Sequence, residues 1–151
     1  MPIEIYPAYQ EIGNVRTLFK EYAAWLGVDL CFQSFEAELQ SLPGLYAPPG
    51  GRLYLARCEG ELAGCAALKP VAENGCELKR LYVRPACRGR KIGRLLLEKM
   101  IADAKEMHYS AMRLDTFASL THAVALYRQA GFCTTEPYYE NPLENVLYMS
   151  L

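Results

Sequence analysis

One segment constrains the fold more than any other: an apolar strand pattern that leads through a basic, glycine-containing turn directly into a helix pattern. The strand pattern covers residues 76–83, Pro85 ends it, and the helix pattern covers residues 92–107. The first backbone N–H groups of such a helix have no partners within the helix and point in one direction. Because the helix dipole adds partial positive charge there, this turn is predicted to bind an anion.

The composition of the turn supports the same prediction. Two glycines and four cations stand within seven residues: Arg88, Gly89, Arg90, Lys91, Gly93 and Arg94. The whole chain has a net charge of −1, so this local concentration indicates a polyanion site. The alternative is a solvated basic helix start, but cations are unfavourable at that end unless an anion joins them. Neither the P-loop pattern nor the dinucleotide pattern G-x-G-x-x-G is present.

The order of the remaining elements narrows the fold class. Before the central segment we predict a strand (3–6), two helices (12–26 and 35–39) and a strand pair (52–58 and 61–68) joined at Glu59-Gly60. After it we predict a strand (111–116), a helix (121–130) and two strands (132–134 and 146–150). A hairpin that precedes the crossover helix favours an α/β fold of the α+β type, with a mixed sheet rather than a doubly wound parallel one.

Length and composition exclude several classes of protein. With 151 residues and 52% hydrophobic residues, the chain is predicted to form a single globular domain over residues 1–151. A net charge near zero gives no reason to expect nucleic acid or a membrane surface as partner. The N-terminus lacks a secretory pattern, no apolar run is long enough to span a membrane, and the six cysteines include no C-x-x-C pair. We therefore expect a cytoplasmic protein with free thiols and no metal site.

A segment rich in proline and glycine, residues 42–51, interrupts the pattern before the second strand. Three prolines and three glycines within ten residues are not compatible with a regular helix or strand there, and we predict an irregular segment. Two interpretations remain open at this point. The segment is either a connector or a mobile wall over a pocket, since loops often carry binding groups.

The central segment resembles the GCN5-related N-acetyltransferase (GNAT) family. The family motif [Gln/Arg]-x-x-Gly-x-[Gly/Ala] lies between a strand and a helix, and Arg88-Gly89-Arg90-Lys91-Ile92-Gly93 matches its first and sixth positions. Lys91 replaces the glycine at the fourth position, which is tolerable if its backbone is helical. A second match is Ala123-x-x-Leu126-Tyr127-Arg128-x-x-Gly131-Phe132, with Leu120 where family members often carry asparagine.

The resemblance implies a fold and a cofactor site. The fold would be the GNAT-like acyl-CoA N-acyltransferase fold, a mostly antiparallel twisted sheet with helices on both faces. The turn would hold the coenzyme A pyrophosphate, with contacts from Arg88, Gly89, Arg90, Lys91, Ile92, Gly93 and Arg94. The pantetheine arm would lie along Leu81, Tyr82 and Val83 like an added strand, and the N–H of Val83 could stabilise the oxyanion.

The resemblance also implies catalytic roles. Tyr127 would lie near the coenzyme sulfur and act as general acid; the alternative is a core tyrosine. Glu77 is the candidate general base, and its alternative role is a surface glutamate paired with Lys79 or another cation. Cys87 has no histidine at an evident spacing and is expected to be structural.

The tail carries an aromatic cluster. Tyr138 and Tyr139, with Phe132, would line the acceptor pocket or cover the sheet edge. Glu136 and Glu140 could attract a cationic acceptor, or they are ordinary surface charge.

Together these features predict an N-acetyltransferase that moves the acetyl group of acetyl-CoA to a small amine or a peptide amine, as a monomer or homodimer. One alternative keeps the fold without catalysis, as an acyl-CoA-binding sensor or regulatory module. Another is an interaction domain that uses residues 42–51 and the tyrosine-rich tail. A common pocket for Glu77 and Tyr127 would favour the enzyme.

Overall fold

A computed structural model describes residues 2–27, 34–139, 141 and 143–151. These residues form one seven-stranded sheet with the strand order β1-β2-β3-β4-β5-β7-β6. The strands are β1 (Ile3–Pro7), β2 (Arg52–Cys58), β3 (Glu61–Val71), β4 (Gly75–Val83), β5 (Ala111–Phe117), β6 (Cys133–Thr135) and β7 (Val146–Ser150). The helices are α1 (Ile12–Leu26), α2 (Phe35–Ser41), α3 (Ile92–Glu106) and α4 (Thr121–Gln129).

The pairing confirms a mixed, mostly antiparallel sheet. Every neighbouring pair of strands is antiparallel except β4 and β5, which are parallel. The connection between these two strands contains α3, as a parallel crossover requires. The sheet is therefore built from antiparallel neighbours on both sides of a single parallel junction.

Helices cover both faces of the sheet. On one face, α3 and α4 pack through Leu96, Met100 and Tyr127 against strand residues such as Leu78 and Leu114. On the other face, α1 and α2 cover a second apolar cluster. Its helical members include Val15, Phe19 and Leu39, and it reaches Tyr82 on β4. Side chains that alternate along β4 therefore lie against one apolar cluster or the other.

A bulge at Arg80 opens the sheet at its centre. Between the pairs Cys65–Tyr82 and Ala67–Lys79, β4 carries one residue more than β3, and Arg80 has a φ of 58°. The buried Arg80 side chain holds this geometry, because its Nε and one terminal nitrogen each bond a carboxylate oxygen of Glu38 on α2, both at 3.0 Å. A bulge bends its strand. Accordingly, β4 pairs with β5 only from Gly75 to Glu77, and the two strands then separate.

The segment of residues 42–51 packs against the sheet. Gly44–Tyr46 form a short 3-10 turn, and the Tyr46 side chain is buried in the core on the α1 face. The hydroxyl of Tyr9 donates to the Tyr46 carbonyl at 2.7 Å, and the hydroxyl of Tyr109 donates to the Gly50 carbonyl at 2.6 Å. None of its residues lines the cleft or the polar pocket described below. The structure therefore favours the connector over the wall.

Candidate active site

The turn between β4 and α3 presents a row of free backbone donors. No backbone N–H from residue 89 to residue 94 donates a hydrogen bond to another described residue, and no side chain caps the helix. Gly89 has a φ of 83° and Lys91 a φ of 63°. Successive N–H groups in such a mixed backbone form an anion-binding concavity. A side chain at Gly89 would meet nothing within 4 Å, so the approach to this row is open.

The backbone of Lys91 differs from the sequence expectation. On sequence grounds a lysine is tolerable there if its backbone is helical, but Lys91 lies in the left-handed region with a φ of 63° and a ψ of 20°. That region is unfavourable for residues with a Cβ and open to glycine. Lys91 therefore carries a side chain at a backbone conformation that favours glycine.

Replacing Lys91 with glycine is expected to raise the free energy of unfolding by about 0.5–1 kcal/mol, because it removes the left-handed strain at some cost in unfolded-state entropy. Urea unfolding measures this change. Lys105→Gly, inside the last turn of the same helix, is the matched control and should destabilise by about 1 kcal/mol. A destabilised Lys91→Gly variant would contradict the left-handed assignment.

The four cations of the turn have different environments. Arg88 donates from Nε to the Val83 carbonyl at 3.0 Å and stacks over the Trp25 ring at 4.5 Å. Arg90 lies 3.9 Å from Glu59 and contacts the Cys58 thiol. Arg94 pairs with Glu98 at 3.7 Å along the exposed side of α3. Lys91 is exposed. All four remain at the surface where an anion could displace water.

Gly93 has a different neighbourhood from Gly89. A Cβ at Gly93 would lie 3.7 Å from side-chain atoms of both Val83 and Leu126. The small residue thus faces β4 and α4, where it allows α3 to pack closely. Only its backbone N–H belongs to the row of free donors.

A cleft fills the gap where β4 and β5 separate. Residues of α1 and α4, from opposite faces of the sheet, line it together, so it passes between the strands. Its lining residues are Tyr22, Trp25, Leu26, Leu78, Lys79, Arg80, Leu81, Leu114, Asp115, Thr116, Phe117, Leu120, Ala123, Tyr127, Asn141 and Leu143. Of the three residues expected along a pantetheine arm, Leu81 lies in the cleft wall, while Tyr82 and Val83 continue the strand beyond it.

The N–H of Val83 faces this gap. The neighbouring Arg84 N–H donates to the Ala63 carbonyl of β3 at 2.8 Å. Because successive backbone groups along a strand point to opposite sides, the N–H of Val83 points away from β3. β5 does not pair with β4 at this position. The donor is thus positioned for a ligand in the gap.

Tyr127 lies in the cleft wall, on α4. Its ring packs edge-on against Phe132 with centroids 5.9 Å apart, and its hydroxyl makes no hydrogen bond with another described residue. Burial raises the pKa of Tyr127 well above its usual value. The phenol therefore remains protonated at neutral pH and has a free donor directed at the space of the cleft.

Glu77 lies in a different cavity, which we call the polar pocket. The polar pocket is lined by Glu38, Lys69, Val71, Ala72, Glu77, Lys79, Arg80, Arg113, Tyr138 and Tyr139. Lys79 and Arg80 line both cavities, so the polar pocket adjoins the cleft. Glu77 and Tyr127 consequently do not share one pocket; they face neighbouring pockets separated by two cationic side chains.

The Glu77 carboxylate has three partners. It lies 3.5 Å from the Lys69 ammonium and 3.9 Å from the Lys79 ammonium, and the Tyr138 hydroxyl donates to it at 2.8 Å. Its side chain is 5% exposed, so it is a buried group and not a solvated one. The pairing with Lys79 that the sequence offered as an alternative is thus present.

Comparison with known proteins identifies the family. The sequence model described as "Acetyltransferase (GNAT) family" matches residues 9–132. The chain belongs to the GNAT family. An uncharacterised N-acetyltransferase of Schizosaccharomyces pombe is 46% identical over 94% of this chain and 88% of its own length.

Solved structures agree with the fold. A GNAT-family acetyltransferase of Staphylococcus aureus superposes with a TM-score of 0.81 over 99% of this chain and 98% of its own, at 22% identity. The PaiA N-acetyltransferase of Thermoplasma acidophilum, solved with coenzyme A, has a TM-score of 0.73 over 99% and 98%, also at 22% identity.

Membership of the GNAT family confirms that this protein is an N-acetyltransferase with acetyl-CoA as cosubstrate. The geometry of the GNAT fold here fits that cosubstrate, since the turn carries free N–H donors and four cations, and its Arg88 stacks over Trp25 in the cleft wall. Within the described residues, no helix is long and apolar enough to cross a membrane, and no three potential metal ligands converge.

The aromatic tail differs in part from the sequence expectation. Tyr138 and Tyr139 line the polar pocket and stack with Tyr148, with centroid distances between 5.4 and 5.7 Å. Phe132 is buried on the other face with Tyr127 and is not part of this cluster. Glu136 is exposed and lines neither cavity.

Glu140 lies outside the described residues, and so does Cys31, one of the six cysteines.

Three residues of the site were not predicted from the sequence: Asp115, Arg113 and Trp25. The carboxylate of Asp115 accepts a hydrogen bond from Tyr139 at 2.8 Å and lies 3.9 Å from the Lys79 ammonium. A signal was present, because β5 alternates buried apolar residues with Arg113 and Asp115, which places both on the opposite face. Trp25 lines the cleft, is 42% exposed and lies under the Arg88 guanidinium.

Proposed function

We propose that this protein transfers the acetyl group of acetyl-CoA directly to a small amine, with Tyr127 as general acid and Glu77 as general base. The observation that carries the proposal is the cleft between β4 and β5, which has Tyr127 in its wall and adjoins the turn through Trp25, the lining residue over which Arg88 stacks. A thioester arm in this gap would extend the sheet, and its carbonyl could accept the N–H of Val83.

The chemistry needs two proton transfers. The amine nitrogen attacks the thioester carbonyl carbon, a C–N bond forms, and the C–S bond breaks. The departing sulfur takes the Tyr127 proton, and the nitrogen loses its proton to Glu77, so the enzyme regains its starting state by exchange with solvent. Because burial raises the pKa of Tyr127, this transfer depends on close placement of the sulfur.

The separation of the two pockets supports a different place for each substrate. The coenzyme would occupy the turn and the cleft, while the acceptor would occupy the polar pocket beside Glu77. The acceptor amine would then meet the thioester at the boundary formed by Lys79 and Arg80. Burial lowers the pKa of Lys79, and the charge of Glu77 offsets part of that effect.

Calorimetric titration with acetyl-CoA, CoA and ATP tests the coenzyme half of the proposal. We expect acetyl-CoA and CoA to bind saturably, with dissociation constants in the range of about 1 µM to 1 mM that is usual for enzyme substrates. ATP shares the phosphates but lacks the pantetheine arm, and it should bind at least about 10-fold more weakly. If ATP binds as tightly as the coenzyme, the turn is a general anion site without specificity for coenzyme A. If neither coenzyme form binds, the proposal is wrong.

A further inference from the structure

Arg113 is the cation of the polar pocket that pairs with no carboxylate of the described residues. It is partly buried on β5, its guanidinium lies 5.7 Å from the centre of the Tyr138 ring, and it makes no ion pair or hydrogen bond with another described residue. Its register partner on β4 is Glu77, but the Glu77 carboxylate already pairs with two lysines and accepts a hydrogen bond from a tyrosine.

The other charges of this pocket are already matched. Arg80 makes two hydrogen bonds with Glu38, and Lys69 and Lys79 flank Glu77. Asp115 adjoins the pocket and is matched by Lys79 and the Tyr139 hydroxyl. Among the residues that the structure describes, four cations thus face three carboxylates, and Arg113 is the cation that pairs with none of these three. A purely cationic acceptor, such as a polyamine, would be repelled by this arrangement.

We propose that the acceptor is an amino-carboxylate, such as a free amino acid, and that Arg113 binds its carboxylate. This inference rests on the proposed function, since it names the acceptor class of that same site. A guanidinium presents paired N–H donors that match the two oxygens of a carboxylate, and stacking on an aromatic ring fixes its plane. Tyr138 supplies that ring, and its hydroxyl is held in turn by Glu77.

The placement also orients the acceptor. With the carboxylate at Arg113, the amine of the same molecule reaches toward Glu77, which lies beside Arg113 in the parallel register. The amine end then faces the boundary with the cleft, where the thioester would lie. A peptide amine has no carboxylate at this distance and would leave the Arg113 charge without a partner.

The test compares L-amino acids with their amides as acceptors, because each pair shares the amine and the side chain. We expect the best free acids to exceed their amides about 10- to 100-fold in kcat/KM, which is the usual value of a charged hydrogen-bonded contact. Arg113→Met should remove this preference by lowering kcat/KM for the acids and leaving the amides within about 3-fold. Arg113→Lys should restore part of it, since a lysine keeps the charge but not the paired donors.

Arg128→Met is the matched control, because Arg128 is exposed on α4, on the other face of the sheet, and its loss changes the net charge equally. It should keep the preference intact. The inference is overturned if amides react as well as acids in the parent protein, or if Arg113→Met lowers both equally.

A binding measurement separates this inference from the proposed function. The CoA-saturated protein is titrated with N-acetyl amino acids and with their amides, the expected products. We expect the acids to bind more tightly, and this difference to disappear in Arg113→Met. If CoA binds but no acid binds more tightly than its amide, the proposed acceptor class is wrong and the proposed coenzyme site is retained. If CoA itself does not bind, the proposed function is wrong.

Discussion

Tyr127→Phe is expected to lower kcat about 100-fold or more, the usual contribution of a positioned general acid, and to leave the dissociation constant of CoA unchanged. The hydroxyl of Tyr127 faces the cleft without a partner among the described residues, whereas its ring packs on Phe132. Phenylalanine keeps that packing and removes only the proton donor. Steady-state kinetics and calorimetry with CoA measure the two quantities separately.

Tyr109→Phe is the control for this variant. It also removes a phenol hydroxyl, but one that donates to the Gly50 carbonyl outside the cleft. It should keep kcat within about 3-fold, because the group does not touch either substrate. If Tyr127→Phe also retains kcat, Tyr127 is not the acid and the sulfur leaves as a thiolate protonated by water.

Glu77→Gln tests the proposed base in the same assay. Glutamine can still accept the hydrogen bond from Tyr138, but it cannot take a proton from the amine. We expect kcat/KM to fall about 10-fold or more at neutral pH and the deficit to shrink as pH rises, because a larger share of the amine is then already neutral. A deficit that stays constant with pH would assign Glu77 a positioning role for the pocket lysines.

Gly51→Ala is expected to destabilise the protein by about 3 kcal/mol or more, although Gly51 touches neither substrate site. An added Cβ would lie 2.5 Å from the carbonyl carbon and Cα of Tyr46 and would also meet the Leu45 carbonyl. These are backbone atoms beside a buried ring, so the whole turn has to move to make room. Urea unfolding, with the slope unchanged, measures the loss.

Gly13→Ala serves as the opposite control. A Cβ at Gly13 would meet nothing within 4 Å, and the residue lies inside α1. Alanine should stabilise that helix by about 0.5–1 kcal/mol. If Gly51→Ala were as stable as the parent protein, the close packing of residues 42–51 on the sheet would be wrong.

The secondary structure follows from local patterns in the sequence. The apolar periodicity of α1 predicts its extent, and Gly27 ends it with a φ of 71° as a helix-terminating glycine should. The hairpin at Glu59-Gly60 and the strand that precedes α3 are local in the same sense. Patterns of this kind need no information from distant parts of the chain.

The site depends on contacts that local patterns do not contain. The bulge at Arg80 is stabilised by the hydrogen bonds of Arg80 with Glu38, 42 residues earlier in the chain. No pattern in the β4 sequence predicts that pair. The left-handed backbone of Lys91 likewise depends on the path of the turn, not on the residue. Because the bulge and the alternation of side chains decide which face each group occupies, the sequence could not settle whether Glu77 and Tyr127 share one pocket.

The separation of β4 from β5 gives the sheet two unpaired strand edges in its interior. Unpaired edges are open to pairing with extended chain, and regions with few backbone hydrogen bonds open at low free energy. A coenzyme arm that pairs with these edges would close the sheet, and any ligand that binds only the folded state stabilises it by mass action. We therefore expect the protein to resist proteolysis and aggregation better when coenzyme is bound. A cell with little coenzyme would then contain less of the enzyme, in addition to having a lower rate of acetyl transfer.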